Sequence, residues 1–234
     1  MQWNVWFRER SENILRVLGD IDADVLCIQE LTTDSYVNPG VDIGEQIAAL
    51  GYHKFYHETL VHEGKNYYTM GNAIFSKLPM TNTKTVYVQF GNANHPLARE
   101  NRVYLEASLD VPGGLTIGTT HLSYFDELQG AGEIRKETGA LLGAIEHHKD
   151  RYVFTGDLNA TPSSYAVYRL SKHFLHAGPN LNLPTWTTKP YPYHAGLNRR
   201  IDYVFASKDV DVTNATTYQT DVSDHLPIIV TVKL

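Results

Sequence analysis

Tyr152-Val153-Phe154-Thr155-Gly156-Asp157-Leu158-Asn159-Ala160-Thr161 is the stretch on which the reading of this chain turns. Aromatic and β-branched residues run into a glycine, and a carboxylate and a carboxamide follow two residues apart. Such a run is expected as a buried strand that stops at a tight turn. Side chains at i and i+2 share a face in extended backbone, so Asp157 and Asn159 can reach one centre at the strand end. A divalent cation could be that centre, because a hard ion such as Mg²⁺ takes oxygen ligands and usually only one or two carboxylates from the protein. An Asx-turn that closes the strand satisfies the same residues.

Working outward, residues 115–120 form another apolar strand, with His121-Leu122-Ser123 directly at its end. The longest helix is expected over 127–148, with Ile134, Thr138, Leu141, Leu142 and Ile145 on one side. A short helix spans 164–170. Residues 180–198, rich in Pro and aromatic residues, read as a long loop, and loops of that length inside a compact unit are usually functional or disordered. Strands follow at 201–205, 210–217 and 228–232, with Ser223-Asp224-His225-Leu226-Pro227 before the last.

Toward the N-terminus, Gln2-Trp3-Asn4-Val5-Trp6 alternates as a strand, and Asn4 is its polar exception. A helix is expected over 10–18. A fully apolar strand follows at 25–28, with Gln29-Glu30 at its end, where α/β folds tend to place chemistry. A helix over 41–50 is closed by Gly51. Strands are expected at 52–58, 71–76, 83–90 and 101–109, with loops at 64–70 and 91–96. Strands outnumber helices, and hairpin-like pairs alternate with helical crossovers. An α/β fold with two mixed sheets packed face to face and helices outside accounts for the pattern.

The 234 residues are expected to form a single domain, 1–234. A net charge of −6 argues against broad, non-specific coating of nucleic acid but not against phosphate chemistry. The single cysteine, Cys27, is expected as a small core residue. No signal peptide or transmembrane run is visible. A monomer is expected, cytoplasmic by default, with secretion left open because Met1 lies almost on the first motif.

Polar residues recur where apolar strands stop: Asn4, Glu30, His121, Asp157, Asn159, Asp202, Asp224 and His225. Acids, amides and imidazoles of this kind suit phosphoester hydrolysis with a hard metal. Acids hold the cation, one imidazole can deprotonate water, and the other can protonate or hydrogen-bond phosphate. Arg102 and Trp186 are candidate substrate contacts, Arg102 through phosphate. Trp186, Tyr191 and Tyr193 could stack on a base or a lipid headgroup, or simply pack their loop.

Trp3-Asn4-Val5, Ile28-Gln29-Glu30, Gly71-Asn72-Ala73-Ile74-Phe75-Ser76, Thr120-His121-Leu122, Gly156-Asp157-Leu158-Asn159, Thr185-Trp186, Arg200-Ile201-Asp202-Tyr203 and Ser223-Asp224-His225 together span the chain. In that order they resemble the endonuclease/exonuclease/phosphatase superfamily, which shares the fold of deoxyribonuclease I. The resemblance implies a four-layer α/β/β/α sandwich with its site at one end of the paired sheets. It implies Glu30 as the principal metal carboxylate, with Asn4 beside it and Asp224 completing the cluster. Asp157 and Asn159 would sit over the scissile phosphate, with His225 as general base oriented by Asp202. His121 would stabilise the transition state or act as acid. The implied cofactor is Mg²⁺, with Mn²⁺ as a substitute. The implied substrate is a phosphate ester, nucleic acid ahead of a lipid headgroup or inositol phosphate, and a non-catalytic binding module comes last. Thr-His-Leu departs from the abasic-site endonucleases, which place Tyr at that position.

Overall fold

The computed structural model describes residues 1–92, 99–124, 131–186 and 198–233. Its elements run β1 (Gln2–Asn4), α1 (Ser11–Ile21), β2 (Val25–Ser35), α2 (Ile43–Ala48), β3 (His53–His62), β4 (Tyr68–Ser76), β5 (Met80–Gln89) and β6 (Arg102–Leu109). They continue with β7 (Leu115–His121), α3 (Ala131–Ile145), β8 (Tyr152–Asp157), α4 (Tyr165–Leu170), β9 (Leu175–His176), β10 (Asp202–Ala206), β11 (Asp211–Thr217) and β12 (Ile228–Lys233). The described strands make two mixed six-stranded sheets, in the orders β11-β12-β1-β2-β4-β3 and β5-β6-β7-β8-β10-β9. No helix among the described residues is long and apolar enough to cross a membrane.

Three apolar clusters give the layers. Cys27, Ile74, Val103, Leu105, Ile117, Val204 and Ile228 pack between the sheets. Trp3, Ile28, Leu31 and Phe75 meet α1 and α2 through Ile14, Val17, Leu18 and Ile47. Tyr104, Tyr152, Phe154 and Phe205 meet α3 and α4 through Leu141, Ile145, Val167 and Leu170. The result is the expected four-layer α/β/β/α sandwich, each sheet burying one face against the other and one against helices.

The differences from the sequence reading are local. Expected to stop at Ile28, β2 runs on to Ser35. Its pairing with β4 shifts between Ile28 and Leu31, and Glu30 adopts φ 56°. That is a β-bulge: one extra residue keeps Leu31 on the helix-facing side with Ile28 and frees the Glu30 carboxylate at the break. The expected loop at 64–70 ends early, because Tyr68 already pairs with Ser35 and His62. α2 is shorter than expected because Asp42 caps it, its side chain accepting from the Glu45 amide. His148 is held by Glu106 at 2.8 Å and by stacking on Tyr152, rather than by a helix end. Tyr191, Tyr193, part of the 91–96 loop and the start of the 127–148 helix lie outside the described residues.

Candidate active site

Strand register assembles one wall. His121 on β7 is paired with Asp157 on β8, and Asp157 with Asp202 on β10. Directly paired residues share a face, so these three side chains form a row across the sheet. Gly156 permits the close approach of β7 and β8: a Cβ there would stand 2.5 Å from the Thr120 carbonyl oxygen. The turn after it is an Asx-turn, the Asn159 amide donating to Asp157 Oδ1 at 2.9 Å. The Asx-turn and the shared centre are therefore one arrangement.

The other sheet supplies the opposite wall. Asn4 pairs with Gln29, and the bulge brings Glu30 alongside. Trp6 sits at φ 61°, a strained position for a bulky residue. Its amide donates to Asn4 Oδ1 at 3.0 Å, and the next amide, Phe7, donates to Glu30 Oε2 at 3.2 Å. Asn4 Nδ2 donates to Glu30 Oε1 and to Asp157 Oδ2, each at 3.0 Å, and so bridges the walls. Beneath them the Gln29 amide donates to Gln2 and to Thr119 Oγ1, and Gln2 Nε2 donates to Asp202 Oδ1 at 3.3 Å.

The C-terminal loop closes the site. Ser223 Oγ donates to the Asn4 carbonyl at 2.7 Å and accepts from the His225 amide at 3.1 Å. The Trp3 indole donates to the His225 carbonyl at 2.9 Å. His225 Nδ1 lies 2.8 Å from Asp202 Oδ2, and its Nε2 lies 3.7 Å from Asp157 Oδ2 and 4.0 Å from Asp224 Oδ1. His121 Nε2 lies 3.6 Å from the same Asp157 oxygen. Trp186 donates from Nε1 to Asp224 Oδ2 at 3.4 Å and bridges to Arg199 and His225.

The sequence candidates Asn4, Glu30, His121, Asp157, Asn159, Asp202, Asp224 and His225 thus share one cluster, buried but for the partly exposed Glu30 and Asn159, with Trp186 at its edge. Arg102 is turned inward: it is 6% exposed, 2.7 Å from Glu100 Oε2, and donates from Nε to Ser123 Oγ. Sequence reasoning missed Glu100, Ser123 and Glu137, all buried beside it. The acid two residues before a strand-edge arginine could have pointed to Glu100; Ser123 and Glu137 carried no such signal.

Burial sets the electrostatics. It raises Glu30 to about 7, with Asp224 adding to the effect, and raises Asp157 to about 7, with Asp202 adding. Burial opposes charge on His225, but Asp202 and Asp157 outweigh it and hold the imidazolium well above the ordinary histidine range. Burial, then Arg102 and His225, push His121 well below it. Two imidazoles in one site are thereby driven to opposite states.

The acids fall into two groups that could receive a cation. The ligand atoms of Asp157, Asp202 and His225 lie within 4.8 Å of one another. There, however, the imidazolium already stands between the carboxylates. Glu30 and Asp224 oppose each other's charge, and among the described residues Asp224 Oδ1 is buried with no hydrogen-bond partner. The residues at this second corner fit a hard divalent ion.

Residues 1–225 match the model of the Endonuclease/Exonuclease/phosphatase family. Bovine protein angel homolog 2 is 31% identical over 170 residues, 66% of this chain but only 29% of that protein. A structure titled ANGEL2, a 2′,3′-cyclic phosphatase, superposes with TM-score 0.67 at 19% identity, covering 97% of this chain and 92% of that one. An endonuclease/exonuclease/phosphatase from Beutenbergia cavernae superposes with TM-score 0.78 at 24% identity over 100% of this chain and 70% of that one. D. rerio TDP2, solved with a single-strand DNA product, superposes with TM-score 0.70 at 17% identity over 100% of this chain and 97% of that one. At these identities the solved structures show the shared fold. The chain belongs to the Endonuclease/Exonuclease/phosphatase family, whose members hydrolyse phosphoesters.

Proposed function

We propose that this member of the family is a Mg²⁺-dependent phosphodiesterase acting on nucleic acid, with residues 1–234 as a single catalytic domain. The observation that carries the reading is the crowding on one atom: Asn4 Nδ2, His121 Nε2 and His225 Nε2 all lie within 3.7 Å of Asp157 Oδ2. Polar atoms that converge on one buried carboxylate oxygen can converge on a phosphoryl oxygen beside it.

Glu30 and Asp224 would hold the cation, with Asn4 orienting Glu30; Mn²⁺ would substitute for Mg²⁺. A cation held there would supply positive charge near the phosphoryl oxygens and would lower the proton affinity of the neighbouring imidazole, His225. The chain's own groups do the rest. Asp157 and Asn159 orient the attacking water and the phosphate. His225, kept in register by Asp202 on Nδ1, takes the water proton at Nε2. His121 Nε2 accepts from Asn159 and so fixes that amide beside the phosphate. Trp186 stacks at the rim, and Arg102 supports from behind through Glu100 and Ser123.

A second reading keeps the chemistry and changes the substrate to a lipid headgroup, an inositol phosphate or a cyclic phosphate. The 2′,3′-cyclic phosphatase among the similar structures supports the last of these. The deciding experiment measures hydrolysis of plasmid DNA, a single-stranded oligonucleotide, a 2′,3′-cyclic nucleotide, a phospholipid, an inositol phosphate and p-nitrophenyl phosphate, each with Mg²⁺ or with EDTA. Nucleic-acid cleavage that EDTA abolishes is expected. Faster turnover of any other ester overturns the substrate assignment, and full activity in EDTA overturns the metal.

A further inference from the structure

The Nε2 side of His121 faces the proposed phosphate site, and its Nδ1 side faces the buried polar row behind it, to which Arg102 belongs. Glu137 on α3 accepts from the Ser123 amide at 3.1 Å and from Ser123 Oγ at 2.9 Å. Ser123 Oγ in turn accepts from Arg102 Nε at 3.2 Å, and Arg102 Nη1 meets Glu100 Oε2 at 2.7 Å. Glu100 Oε1 accepts from Thr59 Oγ1 at 2.8 Å and lies 3.9 Å from His121 Nδ1. Glu100, Arg102, Ser123 and Glu137 are all less than 8% exposed. A buried carboxylate on a buried guanidinium, with a second carboxylate joined to it through Ser123, is costly to assemble, and losing one partner leaves an uncompensated charge.

The hydrogens on His121 follow from its neighbours. Asn159 has one amide atom 2.9 Å from the Leu122 carbonyl and 3.1 Å from His121 Nε2. A carbonyl only accepts, so that atom is the NH₂ nitrogen, and it can donate to both. His121 Nε2 therefore accepts, and the neutral ring carries its hydrogen on Nδ1, toward Glu100. At 3.9 Å that hydrogen makes no bond, because Thr59 and Arg102 hold the Glu100 carboxylate back.

We propose that Glu100 and Glu137 are positioning residues: through Arg102 and Ser123 they fix His121 as the Nδ1–H tautomer, with Nε2 aimed at the Asp157 corner. Glu100 acts on the ring from its Nδ1 side. Glu137 acts on the backbone, since it holds Ser123 two residues after His121. The catalytic consequence rests on the phosphoesterase reading, but the tautomer does not, and the test separates them.

The test uses ¹⁵N-histidine-labelled protein in long-range ¹H–¹⁵N correlation spectra near neutral pH, with His121 assigned by its loss in His121→Gln. The wild type is expected to show Nδ1–H, and Glu100→Gln and Glu137→Gln a mixture of tautomers. In the same variants kcat is expected to fall about 10- to 100-fold with KM within about threefold. Glu100→Asp recovers part of kcat, which a purely structural role would not predict. Should Glu100→Gln fail to fold, Glu137→Gln, judged folded by its melting curve, carries the test. An Nε2–H ring in the wild type, or an unchanged tautomer in the folded variants, overturns the proposal. A protein that hydrolyses none of the esters above, yet shows this tautomer behaviour, overturns the proposed function instead.

Discussion

The two imidazoles of the site sit in opposite surroundings although each has a buried acid on its Nδ1 side. Asp202 bonds His225 directly at 2.8 Å, whereas Glu100 stops 3.9 Å from His121. The difference lies in what else each acid holds. The Asp202 carboxylate accepts from a neutral donor, Gln2 Nε2, at Oδ1 and meets His225 directly at Oδ2. Glu100 is paired with Arg102, so it favours the hydrogen on Nδ1 without holding a second proton on the ring. A histidine's charge state is therefore set by its partner's partner as much as by the partner.

That contrast can be broken from either end. Removing the charged ring has the largest expected effect: His225→Ala should lower kcat about 10³- to 10⁴-fold, and His121→Ala about 10²-fold, measured on whichever ester proves the best substrate. Equal losses would show that the two rings share one role. Asp202→Asn comes next, about 10²-fold in kcat, with the pH–rate profile displaced because His225 loses the neighbour that favours its charged form.

The third expectation concerns the cation. Glu30 and Asp157 are raised to about 7 in the folded chain and titrate near ~4 when unfolded. Their contribution is fully present below ~4 and is lost as pH rises through about 7, where both become buried charges. Mg²⁺ should relieve that loss, so the increase in Tm on adding Mg²⁺ should be several degrees at pH 8 and small at pH 5. Glu30→Gln should remove most of the increase; an increment independent of pH would place the ion elsewhere. The smallest effect is expected at Gln29→Leu. It strips the row under Asp202 of its amide and should cost about 1–3 kcal/mol of stability, read by denaturant unfolding. It should also disturb His225 more than His121 in NMR spectra.

Much of this was legible in the sequence because strand ends are legible. Gly156-Asp157-Leu158-Asn159 and Ser223-Asp224-His225 each follow or precede an apolar run, and a polar residue at such a boundary has few places to point. The sandwich was legible for the same reason, as apolar runs of strand length alternated with helical spacing. What escaped is what depends on pairing. The bulge at Glu30 is visible only against β4, since nothing in Ile28-Gln29-Glu30-Leu31 itself says that the strand resumes. Arg102 read as a phosphate contact because a strand-edge arginine usually faces solvent, and only α3 packing over Ser123 shows it facing inward. Glu137 carried no signal at all, being an acid on an ordinary helix.

The bond from the Trp3 indole to the His225 carbonyl joins positions 222 residues apart, and Gln2 pairs with Ile228 beside it. A chain still emerging from the ribosome holds Asn4 and Glu30 long before it holds Asp202, Asp224 and His225. Under the proposed function, no hydrolysis is expected until the loop carrying His225 has been made and has reached the first strand.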